Sequence, residues 1–245
     1  MFLPNHGRSE TLTARFATVI FDCDSTLSRI EGIDRLAGKQ RARVTELTAT
    51  AMAGRIPLEE IYRRRLELIR PSRHDVERVG RLYIEERVPG AAQVIRRLSA
   101  AGVQVRIVSG GLRPAVLELS RFLGIEDHMV QAVDVYFDDA GGYAGFEEDS
   151  PLARSGGKLE VLGTWAADAP RPRMLVGDGA TDLEARPAVE SFVAFTGVVR
   201  RENVVAAADE VIEGPTLDRV VELALGRDLD GIRDPGTDPH QQAPS

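Results

Sequence analysis

A short run of β-branched and aromatic residues at positions 17–21 stops abruptly at Asp22-Cys23-Asp24-Ser25-Thr26. Such a run reads as a buried strand. Open α/β sheets collect their chemistry at the carboxyl ends of parallel strands, which is where these side chains would crowd. Two carboxylates one residue apart repel each other unless a cation or a proton compensates. The junction thus asks for a parallel α/β sheet with this strand inside it. It also asks for a bound cation, beside which Asp22 would serve as an oxygen nucleophile. Asp-x-Asp also occurs in turns, calcium loops and sugar-nucleotide metal clamps, so the remaining chain has to decide.

The 245 residues suffice for one large α/β domain, or for a core with a small inserted domain. Up to residue 14 the chain reads as a flexible leader. Residues 28–87 then change character. Apolar residues recur at helical spacing in Ile33-Leu36-Ala37, Val44-Leu47-Met52 and Leu58-Ile61-Leu66-Ile69, and Ser72 or Asp75 is placed to cap a helix through Val76, Val79 and Leu82. No strand signal interrupts them, so this segment is expected to be an inserted helical cap. Alternation resumes with a helix at 91–101, a strand at 103–108 and a helix at 114–123. Residues 132–137 and 143–146 read as the strands of a small β-hairpin. A helix at 158–166, strands at 174–176 and 192–195 and a helix at 217–225 complete the pattern. The expected fold is a Rossmann-like, mostly parallel sheet with helices on both faces, its core formed by 15–27 and 88–226. The tail from 227 to 245 is almost without apolar residues and is expected to be disordered.

A net charge of -7 argues against nucleic acid as the main ligand, because phosphate backbones call for basic stripes. Cys23 is the only cysteine, which excludes an internal disulfide and fits a reducing compartment. The first residues contain no apolar signal region, and no stretch approaches the roughly 20 apolar residues of a membrane helix. A cytoplasmic protein is expected.

Three more clusters carry chemistry. Ser109-Gly110-Gly111 follows the strand at 103–108 and offers a hydroxyl and backbone amides to an anion, although an ordinary strand-to-helix turn would use the same residues. Lys158, after Ser155-Gly156-Gly157, stands at a helix start, where a cation opposes the helix dipole. Gly177-Asp178-Gly179-Ala180-Thr181-Asp182 repeats the strand-then-carboxylate arrangement, with Asp182 also suited to a first helical turn. A phosphate-loop spacing is absent around Lys158, and the glycine spacing around Asp178 is wrong for a dinucleotide fingerprint. Together the clusters supply carboxylates for a hard cation, a nucleophile, a lysine, a hydroxyl and amides. Phosphoryl transfer needs that set.

On Phe21–Leu27, Glu31–Asp34, Ser109–Gly111, Ser155–Lys158 and Gly177–Asp182, with weaker matches at Pro71–Arg73 and Tyr143–Phe146, the chain resembles the haloacid dehalogenase superfamily and, within it, the phosphoserine phosphatases. The resemblance spans about residues 16–224. It implies Mg2+-dependent hydrolysis of O-phosphoserine through an aspartyl-phosphate on Asp22, the last step of serine biosynthesis, with Asp24 as general acid and then base. It implies Mg2+ on Asp22, the Asp24 carbonyl and Asp178, with Asp182 behind them, and a phosphoryl group held by Ser109, Gly110 and Lys158. Glu31 would meet the substrate ammonium and Arg65 its carboxylate, while Met52, Gly111 and Thr181 would border the pocket. One departure is Leu58, where family members often carry phenylalanine.

Several alternatives stand beside this reading. Ser28-Arg29-Ile30-Glu31 also spells a capping box. Arg63-Arg64-Arg65 also reads as a solvated face, and Met52 as core packing. A related phosphatase or phosphotransferase acting on another small phosphomonoester remains the alternative function. Cys23 and Arg29 have the Cys-x5-Arg spacing of a thiolate phosphatase, but a thiol between two aspartates has its pKa raised, where that chemistry needs it lowered. A phospho-acceptor receiver domain would lack so large a helical insert. The expected partner is a small phosphomonoester, with neither nucleic acid nor membrane, and a homodimer is an open alternative.

Overall fold

Strand β1 (Thr18–Phe21) is buried along its whole length, each residue at 0% exposure. A strand covered on both faces reads as a continuous apolar run, which is why this segment lacks alternation. Each large side chain buried there contributes about 1.5–3 kcal/mol. The computed structural model describes residues 14–52, 58–165 and 168–226. The expected leader, apart from Ala14, and the expected disordered tail lie outside the described residues.

Four helices follow β1: α1 (Gly32–Leu36), α2 (Arg41–Met52), α3 (Leu58–Ile69) and α4 (Arg73–Glu85). Then come α5 (Ala91–Ala100), β2 (Gln104–Leu112), α6 (Arg113–Leu123), β3 (Val130–Val133), β4 (Val135–Phe137) and β5 (Tyr143–Phe146). The chain continues with α7 (Gly157–Thr164), β6 (Arg173–Gly177), α8 (Ala180–Glu184), β7 (Ser191–Phe195), α9 (Glu202–Ala207), β8 (Glu210–Ile212) and α10 (Arg219–Leu225).

Six strands form one parallel sheet in the order β3-β2-β1-β6-β7-β8. After β1 the chain builds one side of the sheet through β2 and β3, then returns to build the other through β6, β7 and β8. The switch point falls at β1 and β6, where open α/β sheets form their binding crevice. Register delivers the functional side chains there. Phe21 lies opposite Ile107 of β2 and Val176 of β6, so Asp22 and Asp178, just past the ends of β1 and β6, come level with Ser109 of β2 at one edge.

The sheet departs from expectation in three places. The run 132–137 is not one strand: β3 ends at Val133 and joins the edge of the parallel sheet, and β4 alone pairs antiparallel with β5. Ser109, Gly110 and Gly111 are not a turn; β2 runs through them to Leu112, with a register shift against β3 between Val108 and Leu112. Helix α9 and edge strand β8 were not anticipated. Three residues beginning with a glutamate give β8 too little periodicity to be read.

Helix α4 begins at Ser72, whose Oγ accepts from the Asp75 N–H at 3.2 Å while the Asp75 carboxylate accepts from the Ser72 N–H at 3.1 Å. Its buried face, Val76, Val79, Gly80 and Tyr83, lies along α6 of the core. Helix α3 and the start of α4 meet the hairpin instead. Tyr62 packs on Phe146 with ring centroids 5.4 Å apart, Arg63 pairs with Glu148 at 2.8 Å, and the Arg73 N–H donates to the Gly141 carbonyl at 2.9 Å. Among the described residues no helix is long and apolar enough to cross a membrane.

Candidate active site

Carboxylate oxygens of Asp22, Asp178 and Asp182 lie within 4.8 Å of one another. Asp22 and Asp178 come from the ends of β1 and β6, and Asp182 from the first turn of α8. Gly177 makes this possible: a Cβ there would lie 2.2 Å from Cγ of Asp182. The Gly179 N–H donates to Asp182 Oδ2 at 3.0 Å, tying the helix start to the same carboxylate.

Lys158, 5% exposed, answers the question raised by its place at a helix start. Its Nζ lies 2.6 Å from Asp182 Oδ1 and 2.9 Å from Asp22 Oδ2. Burial lowers the lysine pKa, but Asp182 and Asp22 together outweigh it and hold the group above its ordinary value, so it is charged. Arg201, the residue before α9, ion-pairs with Asp178 Oδ2 and donates to the Asp178 carbonyl at 3.2 Å. Thr26 Oγ1 donates to Asp178 Oδ1 at 3.1 Å. Three carboxylates thus share two cations, with Asp24 and Glu31 adding charge nearby. Burial drives the Asp22 pKa well up, and Asp182, Asp178 and Asp24 add to this against Lys158. Burial and Asp182 push Asp178 up to about 6, against Arg201. A buried, all-oxygen cluster short of positive charge fits a hard divalent cation.

Asp24 sits beside this cluster. Its Oδ1 accepts from the Gly32 N–H and from the Tyr83 hydroxyl, each at 2.7 Å. Burial and Glu31 push its pKa up to about 7, while the Tyr83 and Gly32 hydrogen bonds pull the other way. A carboxyl in that range can give a proton and take one back near neutrality. Burial, Asp24 and Asp22 push the Cys23 thiol up as well, which removes the thiolate chemistry its spacing suggested.

Ser109 is fully buried with its Oγ 3.0 Å from the Gly111 N–H, and a Cβ on Gly111 would lie 3.1 Å from Asp24 Oδ2. Glu31 is the residue before α1 and caps nothing with its side chain; it accepts from Ser25 Oγ at 2.7 Å, so the capping-box reading does not hold. Arg65 ion-pairs with Asp34, while its Nε is buried without a hydrogen-bond partner. Tyr62 reaches the site from α3. Its hydroxyl donates to the Gly110 carbonyl at 2.9 Å and feels the charges of both Arg65 and Asp24. Thr181 is the second residue of α8, partly exposed, next to Asp182. Met52 closes α2, and its side chain, like that of Leu58, lies outside the described residues.

The site therefore gathers Asp22, Asp24, Ser109, Gly110, Gly111, Lys158, Asp178 and Asp182 at one sheet edge, with Glu31 just before α1 and Arg65 on α3. Sequence reading missed Arg201, Tyr83 and Tyr62. The dibasic pair Arg200-Arg201 was a weak signal, because α9 itself was not read. Tyr83 and Tyr62 looked like ordinary helix-face aromatics.

A parallel sheet with paired carboxylates at the end of its first strand, a buried lysine and a second acidic turn defines the haloacid dehalogenase-like hydrolases, whose family model matches residues 16–189. The phosphoserine phosphatase of Rattus norvegicus is 38% identical over 203 residues, covering 82% of this chain and 90% of that one. Two solved phosphoserine phosphatases superpose with TM-scores of 0.70, each covering 84% of this chain and 97% of its own. One, a phospho-aspartyl intermediate analogue, is 27% identical, and the other, a substrate-bound complex, is 26% identical. The chain belongs to the phosphoserine phosphatase family of haloacid dehalogenase-like hydrolases.

Proposed function

We propose that the protein hydrolyses O-phosphoserine to serine and phosphate, the closing step of serine formation, with Mg2+ as cofactor. The convergence of Asp22, Asp178 and Lys158 on one buried point carries this reading, and the 38% identity to a phosphoserine phosphatase supports the substrate. Asp22, Asp178 and the Asp24 carbonyl would hold the metal ion, with Asp182 behind them. When bound it supplies charge to phosphoryl oxygens and offsets repulsion among the carboxylates.

An Asp22 carboxylate oxygen attacks phosphorus, and the bond to the serine oxygen breaks. Asp24 gives its proton to the departing alkoxide. Deprotonated, it then takes a proton from water as the water oxygen attacks the aspartyl-phosphate, releasing phosphate and restoring Asp22. Lys158, Ser109 Oγ and the Gly110 amide bind the phosphoryl oxygens throughout. Glu31 receives the substrate ammonium and Arg65 its carboxylate, with Met52, Gly111 and Thr181 along the pocket. The unpartnered Nε of Arg65 supports its part. The single cysteine supports a cytoplasmic setting.

A panel of phosphoserine enantiomers, phosphothreonine, phosphoethanolamine and sugar phosphates, assayed with Mg2+ and with EDTA, tests the proposal. Fastest turnover of phosphoserine, lost on chelation, is expected. A long-lived phosphoenzyme without turnover would point to a receiver, and preference for another ester would move the substrate.

A further inference from the structure

Tyr83 is fully buried on α4, and its hydroxyl donates to Oδ1 of Asp24 at 2.7 Å. The Gly32 N–H donates to the same oxygen at 2.7 Å. Among the described residues both hydrogen bonds to this carboxyl fall on Oδ1. The other oxygen, Oδ2, lies beside Gly111, where a Cβ would lie 3.1 Å from it and 3.1 Å from the Tyr83 hydroxyl oxygen. We propose that Tyr83 is a positioning residue for the reaction: it fixes the Asp24 carboxyl so that Oδ2 delivers the proton to the leaving alkoxide. The inference rests on reading Asp24 as the proton donor.

Two further features support it. First, α4 is anchored to the core. Gly80 lies so close to α6 that a Cβ would come 2.8 Å from Glu118 Cβ and 3.4 Å from Ala115 Cα, and Val76 and Val79 are buried on the same face. The tyrosine thus reaches Asp24 from a platform tied to the sheet. Second, the chain makes room for the contact: a Cβ on Gly32 would lie 2.0 Å from the Tyr83 hydroxyl oxygen. Only glycine at the first position of α1 lets both donors converge on one oxygen. A tyrosine hydroxyl keeps its proton near neutrality, so it stays a donor to the carboxylate. A buried tyrosine needs some partner for its hydroxyl. That this partner is the proton-transferring carboxyl turns a packing requirement into a constraint on geometry.

Tyr83→Phe keeps the ring and removes the hydroxyl. Single-turnover release of serine from phosphoserine is compared with release of p-nitrophenolate from its phosphate ester, both with Mg2+. Cleaving the first P–O bond requires a proton on the departing oxygen; the second leaving group departs as an anion. Serine release is expected to slow about tenfold or more, p-nitrophenolate release no more than about twofold, and the KM for phosphoserine to stay within about twofold. The contrast between substrates is independent of the folded fraction. In an Asp24→Asn background, Tyr83→Phe is expected to add no further loss on phosphoserine, because the two groups act as one unit. Equal slowing on both substrates, undiminished serine release, or additive losses in the double variant would overturn the proposal. A wild-type protein that ignores phosphoserine would sink the substrate assignment instead, and the same comparison would then be made on the alkyl phosphate it does cleave.

Discussion

Cys23 and Asp22 are adjacent, and their environments assign opposite parts to them. Asp22 has Lys158 at 2.9 Å and a cluster of carboxylates suited to a cation; burial, with Asp24 and Asp22 beside it, keeps the Cys23 thiol protonated. Asp22→Asn is therefore expected to cut turnover by at least about a thousandfold, while Cys23→Ser keeps most of it. Steady-state assays of the two purified variants check this, and the reverse pattern would restore a thiolate mechanism. Arg65 is tested by selectivity. A charged hydrogen-bonded contact is worth about 1.5–3 kcal/mol, so Arg65→Ala is expected to lower kcat/KM for phosphoserine about tenfold or more, with a small change on p-nitrophenyl phosphate. Equal losses on both substrates would remove the carboxylate contact from the account.

At the scale of elements, legibility followed local pattern. Helices α3 and α4 carry clear 3.6-residue periodicity, and the reciprocal bonds of Ser72 and Asp75 mark where α4 starts. Ser72→Ala is expected to destabilise the protein by about 1 kcal/mol with kcat unchanged. Urea unfolding followed by circular dichroism, beside a kinetic assay, checks both halves. Elsewhere local pattern misled. Residues 132–137 read as one strand, yet tertiary pairing gives β3 to the parallel sheet and β4 to the hairpin. Ser109-Gly110-Gly111 has the composition of a turn, yet pairing with its neighbours carries β2 through to Leu112, because sheet contacts override local preference.

Across the whole molecule, buried charge links the site to stability. Asp24 and Asp178 have folded pKa values near 7 and 6, both raised from 3.8. Between those limits the folded protein holds protons that the unfolded chain releases, so stability falls as pH rises through the window. Without metal, the melting temperature is expected to drop from pH 5 to pH 8. Mg2+ is expected to raise it more at pH 8, where the carboxylates are ionised and repel one another. Differential scanning fluorimetry with EDTA or Mg2+ tests this, and a flat profile, or a larger Mg2+ effect at pH 5, would count against a cation among these aspartates. The sequence alone determined the parallel α/β class, the four clusters and their order, because strand-end carboxylates and glycine turns are local signals written in adjacent residues. Only the tertiary structure decided that Lys158 joins Asp22 to Asp182, that Arg201 reaches Asp178, and that Tyr83 from α4 meets Asp24. Those contacts join residues far apart in the chain, and only the packing of helices against one sheet edge brings them within bonding distance.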